Sequence, residues 1–233
     1  MIAVKKSGAI WGLPARRRSQ IVRRVCERLQ AAYGTPRLGN PRDALDDLVY
    51  ITLTNKTGPR TADAVYARLK NAFSDWEAML AASARGVRRI LTPAGLSRIK
   101  TAYLREAMRR IRADFGTCSL TPLRGWSEAE AERYLVSLPG VSLKVAKCIM
   151  LFTLGARVLP VDAHVHRVAG RLGWTARKRA DQCHEELEAL VRPRWRYGFH
   201  VGAVQHGRAV CKPRAPACEK CCIRMHCMLK GAT

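Results

Sequence analysis

Apolar positions recur along this chain at three- and four-residue intervals, and no stretch alternates as a half-buried strand would. Ile21, Val22, Val25 and Leu29 form one stripe of a first helix, closed by Gly34 and broken by Pro36. A second helix starts near Pro41–Arg42 and runs through Leu45, Leu48, Val49 and Leu53, and Val65, Leu69 and Phe73 mark a third. Ser74-Asp75-Trp76-Glu77 reads as a capping box opening a short helix. Ile99, Tyr103, Ala107 and Ile111 line a longer basic helix that Gly116 ends. Ser127 and Glu130 form a second capping box, whose helix reaches about Ser137. A turn at Leu138-Pro139-Gly140-Val141-Ser142 leads into an apolar helix from Leu143 to Leu154. Asp162 can cap another through Val168, and a last helix runs from about Trp195 to Val210. The pattern predicts an all-α fold.

With 233 residues, 48% of them hydrophobic, the chain makes one large domain or two small ones with a real core. No apolar run approaches the length of a membrane span, so no membrane partner is expected. The first 26 residues carry seven basic residues and no acid, which reads either as an organelle transit peptide or as a solvated basic flank. Cys26, Cys118, Cys148 and Cys183 stand singly and read as small buried hydrophobes of a reducing compartment. A cytoplasmic, nucleoid-associated location follows, with organelle targeting left open. Charge narrows the partner. Forty-two Lys and Arg against 18 Asp and Glu leave +24, far more than solubility requires, and make a polyanion the default partner. From Arg192 onward there are nine basic residues and one acid, Glu219.

Two segments carry candidate chemistry. The turn at Pro139–Ser142 joins two helices, and the free N–H groups that open the second can point at a phosphate. Lys144 falls in the first turn of that helix, where the macrodipole and desolvation favour the neutral, nucleophilic amine. It reads equally as one more phosphate contact. Asp162 follows 18 residues later, after the apolar Val158-Leu159-Pro160-Val161, and its plainest role is a helix cap. His164 and His166 point to different sides of that helix and read as structural.

Cys211, Cys218, Cys221 and Cys227 follow the spacing C-x6-C-x2-C-x5-C within 17 residues. Four soft ligands at that density call for a metal, either an iron–sulfur cluster or tetrahedral zinc. Only one pair has the C-x2-C spacing common in zinc sites, and the longer arms suit a [4Fe-4S] cluster better. Cys222 is a fifth cysteine outside that spacing. Lys212 and Arg214 lie in the loop between the first two ligands, where a cluster would hold cations against phosphates.

The motifs Leu138-Pro139-Gly140-Val141-Ser142-Leu143-Lys144, Val161-Asp162-Ala163-His164 and the four cysteines, in that order, resemble the endonuclease III family of helix–hairpin–helix DNA glycosylases. The likeness extends from about Asn40 to Cys227. It implies a six-helix barrel domain over residues 36–157 and a second domain of 1–35 with 158–233, which carries the cluster. Double-stranded DNA with a damaged or mispaired base would lie in the cleft between them, bound by a monomer. Lys144 would match the family's nucleophile and Asp162 its carboxylate. Gly140 and Ser142 would grip a phosphate, and Leu96, in Gly95-Leu96-Ser97, would match the wedge residue that fills the duplex. Leu96 also reads as a core leucine. Asn55 stands where the family commonly has glutamine, Ser142 where it has the second hairpin glycine, and Ala163 where it has threonine. The implied activity is a bifunctional glycosylase and AP lyase acting on damaged pyrimidines, oxidised ones first among them. A monofunctional glycosylase removing uracil, thymine or adenine from mispairs is the rival reading. A non-catalytic DNA-binding iron–sulfur protein is the third.

Overall fold

The computed structural model describes residues 6–229, so Lys5 and the four residues before it, part of the basic N-terminal segment, lie outside it. Among the described residues there are eleven α-helices and no strand. The chain divides into two units, Gly39–Ala156 and Met1–Leu38 with Arg157–Thr233. No helix among the described residues is long and apolar enough to cross a membrane.

The contiguous unit holds α2 (Ala44–Thr54), α3 (Pro59–Ala72), α4 (Trp76–Ala81), α5 (Ala84–Leu91), α6 (Ser97–Phe115), α7 (Glu128–Ser137) and α8 (Leu143–Thr153). α2 packs on α3 and α8, α7 on α8, and α5 on α6. Leu45, Leu48, Val49, Leu53, Val65 and Leu69 are buried, as their spacing predicts, each worth about 1.5–3 kcal/mol in removal from water. The Ser127–Glu130 capping box is present in both directions.

Three readings need correction. The cap of α4 is Asp75, which accepts from Ala78 N (2.7 Å), and not Ser74. Glu77 is drawn away, accepting from Cys118 N (2.7 Å), so no capping box closes there. On α6, Ile99 and Tyr103 are about half exposed, and the buried face is Lys100, Thr101, Leu104, Ala107, Met108 and Ile111. Ala107 and Ile111 are buried as predicted, and only the first two positions of the stripe give way, to Lys100 and Leu104. Cys118 is half-buried, whereas Cys26, Cys148 and Cys183 are buried as expected.

The second unit is built on α1 (Ala15–Tyr33), α9 (Ala163–Arg171), α10 (His184–Leu190) and α11 (Pro193–Ala209). α11 packs against both α1 and α9. Gly202 lets α1 come close, since a Cβ there would stand 3.0 Å from Leu29 Cβ. Val22, Val25, Leu29, Val165, Val168 and Val204 fill the core beside Trp174 stacked on Phe199 (5.0 Å between centroids). α5 and α10 are the helices that the periodicity did not announce.

Candidate functional site

In the contiguous unit, α7 ends at Ser137 and α8 begins at Leu143, and the turn between them is tightly determined. Gly140 has φ +77°, a region that a side chain resists. A Cβ there would also lie 2.6 Å from Tyr103 Cγ and 2.7 Å from Tyr103 Cβ and Cδ2. Val141 N donates to Leu138 O (3.1 Å), closing the turn. Ser142 is extended at φ −80°, so replacing glycine there strains nothing, and its Oγ accepts from Val145 N (3.4 Å) to cap α8. Lys144 is therefore the second residue of α8, half-buried in the turn whose N–H groups open the helix. One turn on, Lys147 is buried and pairs with Glu132 (3.2 Å). The two lysines thus have different surroundings, one engaged inside and one at the helix mouth.

Asn55 and Leu96 occupy two turns of the same unit. Asn55 is exposed and ends α2, and Lys56 after it has φ +55°. Leu96 opens α6 at φ +48° and is 47% exposed, so it is not a core leucine. With Ile99 and Tyr103 it makes an exposed apolar stripe along α6, and the Tyr103 end of that stripe is the ring against Gly140. Non-glycine residues in the left-handed region persist only where their surroundings over-determine them. Here the surroundings include Lys100, only 3% exposed, whose Nζ donates to Leu53 O (2.9 Å), Thr57 Oγ1 (2.9 Å) and Ala94 O (2.8 Å).

In the second unit Asp162 is half-buried and caps α9, its Oδ1 accepting from His164 N (2.9 Å) and Val165 N (2.8 Å). The cap fixes the direction of the carboxylate. His164 Nδ1 meets Arg167 (3.0 Å), and burial holds its imidazole below the usual histidine range. His166 Nε2 meets Arg177 O (2.8 Å). Both histidines are thus engaged by partners within the protein.

Arg167 and Arg171, one turn apart on α9, hold the start of the basic loop. Arg167 donates to Cys211 O (2.8 Å) and Gly207 O (2.9 Å). Arg171 donates to Cys211 Sγ (3.0 Å), Lys212 O (2.9 Å) and Pro213 O (3.2 Å). Ala217 N returns to Val210 O (3.0 Å), so the exposed Lys212 and Arg214 ride on a pinned loop. Tyr33 donates to or accepts from His206 Nδ1 (2.8 Å), and His206 Nε2 stands 3.4 Å from Cys221 Sγ. Burial pushes the Cys221 thiol up to about 11, helped by neighbouring Cys222, Cys211 and Cys227. The Arg171 guanidinium already donates to the Cys211 sulfur, as it would to a metal-bound thiolate. Among the described residues, however, no three His, Cys, Asp or Glu side chains are gathered closely enough to hold a metal ion. The donor chemistry fits a thiolate-ligated group, while the side chains do not close around one.

A model of the HhH-GPD superfamily of base excision DNA repair proteins matches residues 50–193. The chain belongs to that superfamily. The matched segment contains the hairpin, Lys144 and Asp162, and stops before Cys211, Cys218, Cys221 and Cys227. Endonuclease III of Thermotoga maritima is 26% identical over 193 residues, 82% of this chain and 86% of that one. A protein of Arabidopsis thaliana named provisionally as a DNA glycosylase is 28% identical over 180 residues, and the match spans 61% of its length. In fold, the chain is similar to a trapped endonuclease III–DNA covalent intermediate, with a TM-score of 0.78 at 20% identity, covering 90% of this chain and 95% of that one. A thermostable thymine-DNA glycosylase gives 0.77 at 22% identity, covering 90% and 96%. As a member of this DNA glycosylase family, the chain carries features that its sequence did not disclose. They are Lys100, the arginine pair of α9 and the Lys147–Glu132 pair. The i, i+4 spacing of Arg167 and Arg171 was the one available signal.

Proposed function

We propose that this protein is a base-excision glycosylase that cleaves the N-glycosidic bond of an altered pyrimidine, oxidised or otherwise damaged, and then nicks the strand by β-elimination. The observation that carries the reading is Lys144 in the first turn of α8, behind a hairpin whose glycine admits no side chain. The helix mouth offers its N–H groups to one phosphate, gripping the duplex without reading sequence. The reaction needs an amine and a carboxylate at one deoxyribose. Lys144 Nζ attacks C1′ as the base departs with the glycosidic electron pair, and the carboxylate of Asp162 stabilises the positive charge that builds on the sugar. The attached amine gives up a proton and its lone pair opens the C1′–O4′ bond, O4′ leaving as a hydroxyl, so that a Schiff base stands at C1′; loss of a C2′ proton then expels the 3′ phosphate. Leu96 and Asn55 enter the duplex while the target nucleotide is extruded, at a cost of about a few kcal/mol that is lowest for a damaged or mispaired base.

Lys212 and Arg214 are proposed phosphate contacts, with DNA affinity falling steeply as salt rises. Cys211, Cys218, Cys221 and Cys227 would hold a [4Fe-4S] cluster, with Arg171 donating to Cys211. The bound cluster would supply a rigid anchor for the basic loop. In this reading the protein acts as a monomer within two helical domains, 36–157 and 1–35 with 158–233, on DNA of the cytoplasm.

The test is a panel of oligonucleotide duplexes, each with one altered base, scored separately for base release and strand scission. Wild-type protein should release at least one altered pyrimidine and cut the strand. Lys144→Ala should lose both activities, and Asp162→Asn should slow base release by about 100-fold or more, as removal of one charge-stabilising group does. Base release without scission would favour the monofunctional reading, and indifference to Asp162→Asn would leave only a DNA-gripping role.

A further inference from the structure

The buried amine of Lys100 has no part in the chemistry above, and its surroundings are unusual. Burial holds it below the usual lysine range. Its three partners are the last buried carbonyl of α2 (Leu53), a hydroxyl in the next turn (Thr57) and the carbonyl of Ala94. All three are oxygens within 2.8–2.9 Å, so an ammonium with three protons satisfies the set, whereas a neutral amine would leave one acceptor unmet. Thr57 Oγ1 donates its single proton to Ala94 O (2.5 Å), with Asn55 O the more distant alternative acceptor (3.3 Å). One cation and one hydroxyl therefore tie residues 53–57 to residue 94, across 37 positions of sequence. Each of these turns has an exposed residue in the left-handed region beside the tie, Lys56 at φ +55° and Leu96 at φ +48°. A helix-forming leucine has no local reason to adopt that conformation, so the tie below it is what holds it.

We propose that Lys100, with Thr57, is a positioning residue that locks the Asn55 turn to the Leu96 turn, so that both enter altered duplex DNA as one rigid wedge. The proposal rests on the glycosylase reading for its DNA target, but not for the lock itself. Loosening the lock leaves phosphate gripping intact and slows the extrusion step. Base release should therefore fall more than affinity for unaltered duplex, and more than β-elimination at a pre-formed abasic site, where no base needs to be extruded.

Lys100→Met is the direct variant, and Thr57→Val is the milder one, keeping the shape while removing the hydroxyl. Thr57→Ser restores the oxygen and is the rescue control. Amide hydrogen exchange at Gly95, whose N–H donates to Thr92 O (3.1 Å), reads the lock without any substrate. Thr57→Val should speed that exchange and slow single-turnover base release by about 10-fold or more each, the effect of losing a hydrogen bond to a charged group. Thr57→Ser should stay within about twofold of wild type on both readouts, since it keeps that bond. Equal behaviour of the Val and Ser variants would overturn the lock. Faster exchange with unchanged base release would overturn the positioning role. Wild-type protein that releases no base from any duplex would defeat the glycosylase reading instead, and the exchange measurement would still decide the lock.

Discussion

Gly140→Ala probes the backbone on which the hairpin depends. At φ +77° any Cβ is strained, which costs roughly 1–2 kcal/mol for a residue other than glycine. The new carbon would also stand 2.6–2.7 Å from Tyr103 Cγ, Cβ and Cδ2. The Tyr103 ring is half exposed and can swing outward, but its Cβ moves only if α6 moves. Overpacking of that kind adds about 1–3 kcal/mol, so a total near 3 kcal/mol is expected, split between strain and clash. Urea unfolding of wild type, Gly140→Ala, Tyr103→Ala and the double variant separates the two parts. Tyr103→Ala removes two of the three close carbons, so the glycine substitution should cost about 1 kcal/mol less in that background. Affinity for unaltered duplex should fall in Gly140→Ala, because the displaced turn no longer aims its N–H groups at a phosphate. A loss of stability below about 0.5 kcal/mol, or no coupling with Tyr103, would refute the claim that this turn admits only glycine.

Other expectations follow from single interactions. Ser127→Ala should lower stability by about 1 kcal/mol in urea unfolding, since it removes one half of the capping box of α7. Glu77 is held below the usual carboxylate range, first by the Cys118 N–H and further by Arg112. A depressed folded-state value means its contribution is complete above the unfolded carboxylate range, about pH 4.3, and is lost as pH falls below it. Glu77→Gln should therefore narrow the stability difference between neutral and acidic solution, which thermal melts at a series of pH values would measure. Arg171→Met should loosen the loop carrying Lys212 and Arg214. The slope of log affinity against log salt should then shrink by about 1 if one of those cations leaves its phosphate, and by about 2 if both do.

Much of this molecule can be read from its residues, and the failures have physical causes. Val22, Val25 and Leu29 lie on one face by spacing alone, and they are the face that α11 meets. Ser127 and Glu130 satisfy one another locally, so their motif forms whatever the tertiary setting. Ser74 and Glu77 had the spacing of a capping box, but Asp75 caps the helix and Glu77 accepts from the distant amide of Cys118, a partner that no local window contains. Ala107 and Ile111 of α6 are buried as their spacing predicts, but its first two turns were read one position out of phase because a periodic pattern treats lysine as a surface residue. Lys100 goes inside because three oxygens from two turns await it, and no sequence window contains all three. α5 and α10 are short and rich in arginine or glutamate, so their few apolar positions make no sustained stripe. The hairpin was legible as a glycine-bearing turn, whereas the Tyr103 side chain that makes its glycine obligatory comes from a helix that precedes it in sequence.

In the proposed reaction one particular amine, that of Lys144, forms the bond to the sugar. Borohydride reduction during reaction with an altered-pyrimidine duplex, followed by peptide mass mapping of the trapped complex, identifies that amine directly. An adduct is expected on Lys144 in the wild-type protein, and none in Lys144→Ala. An adduct on Lys147 or any other lysine, or one that survives Lys144→Ala, would contradict it.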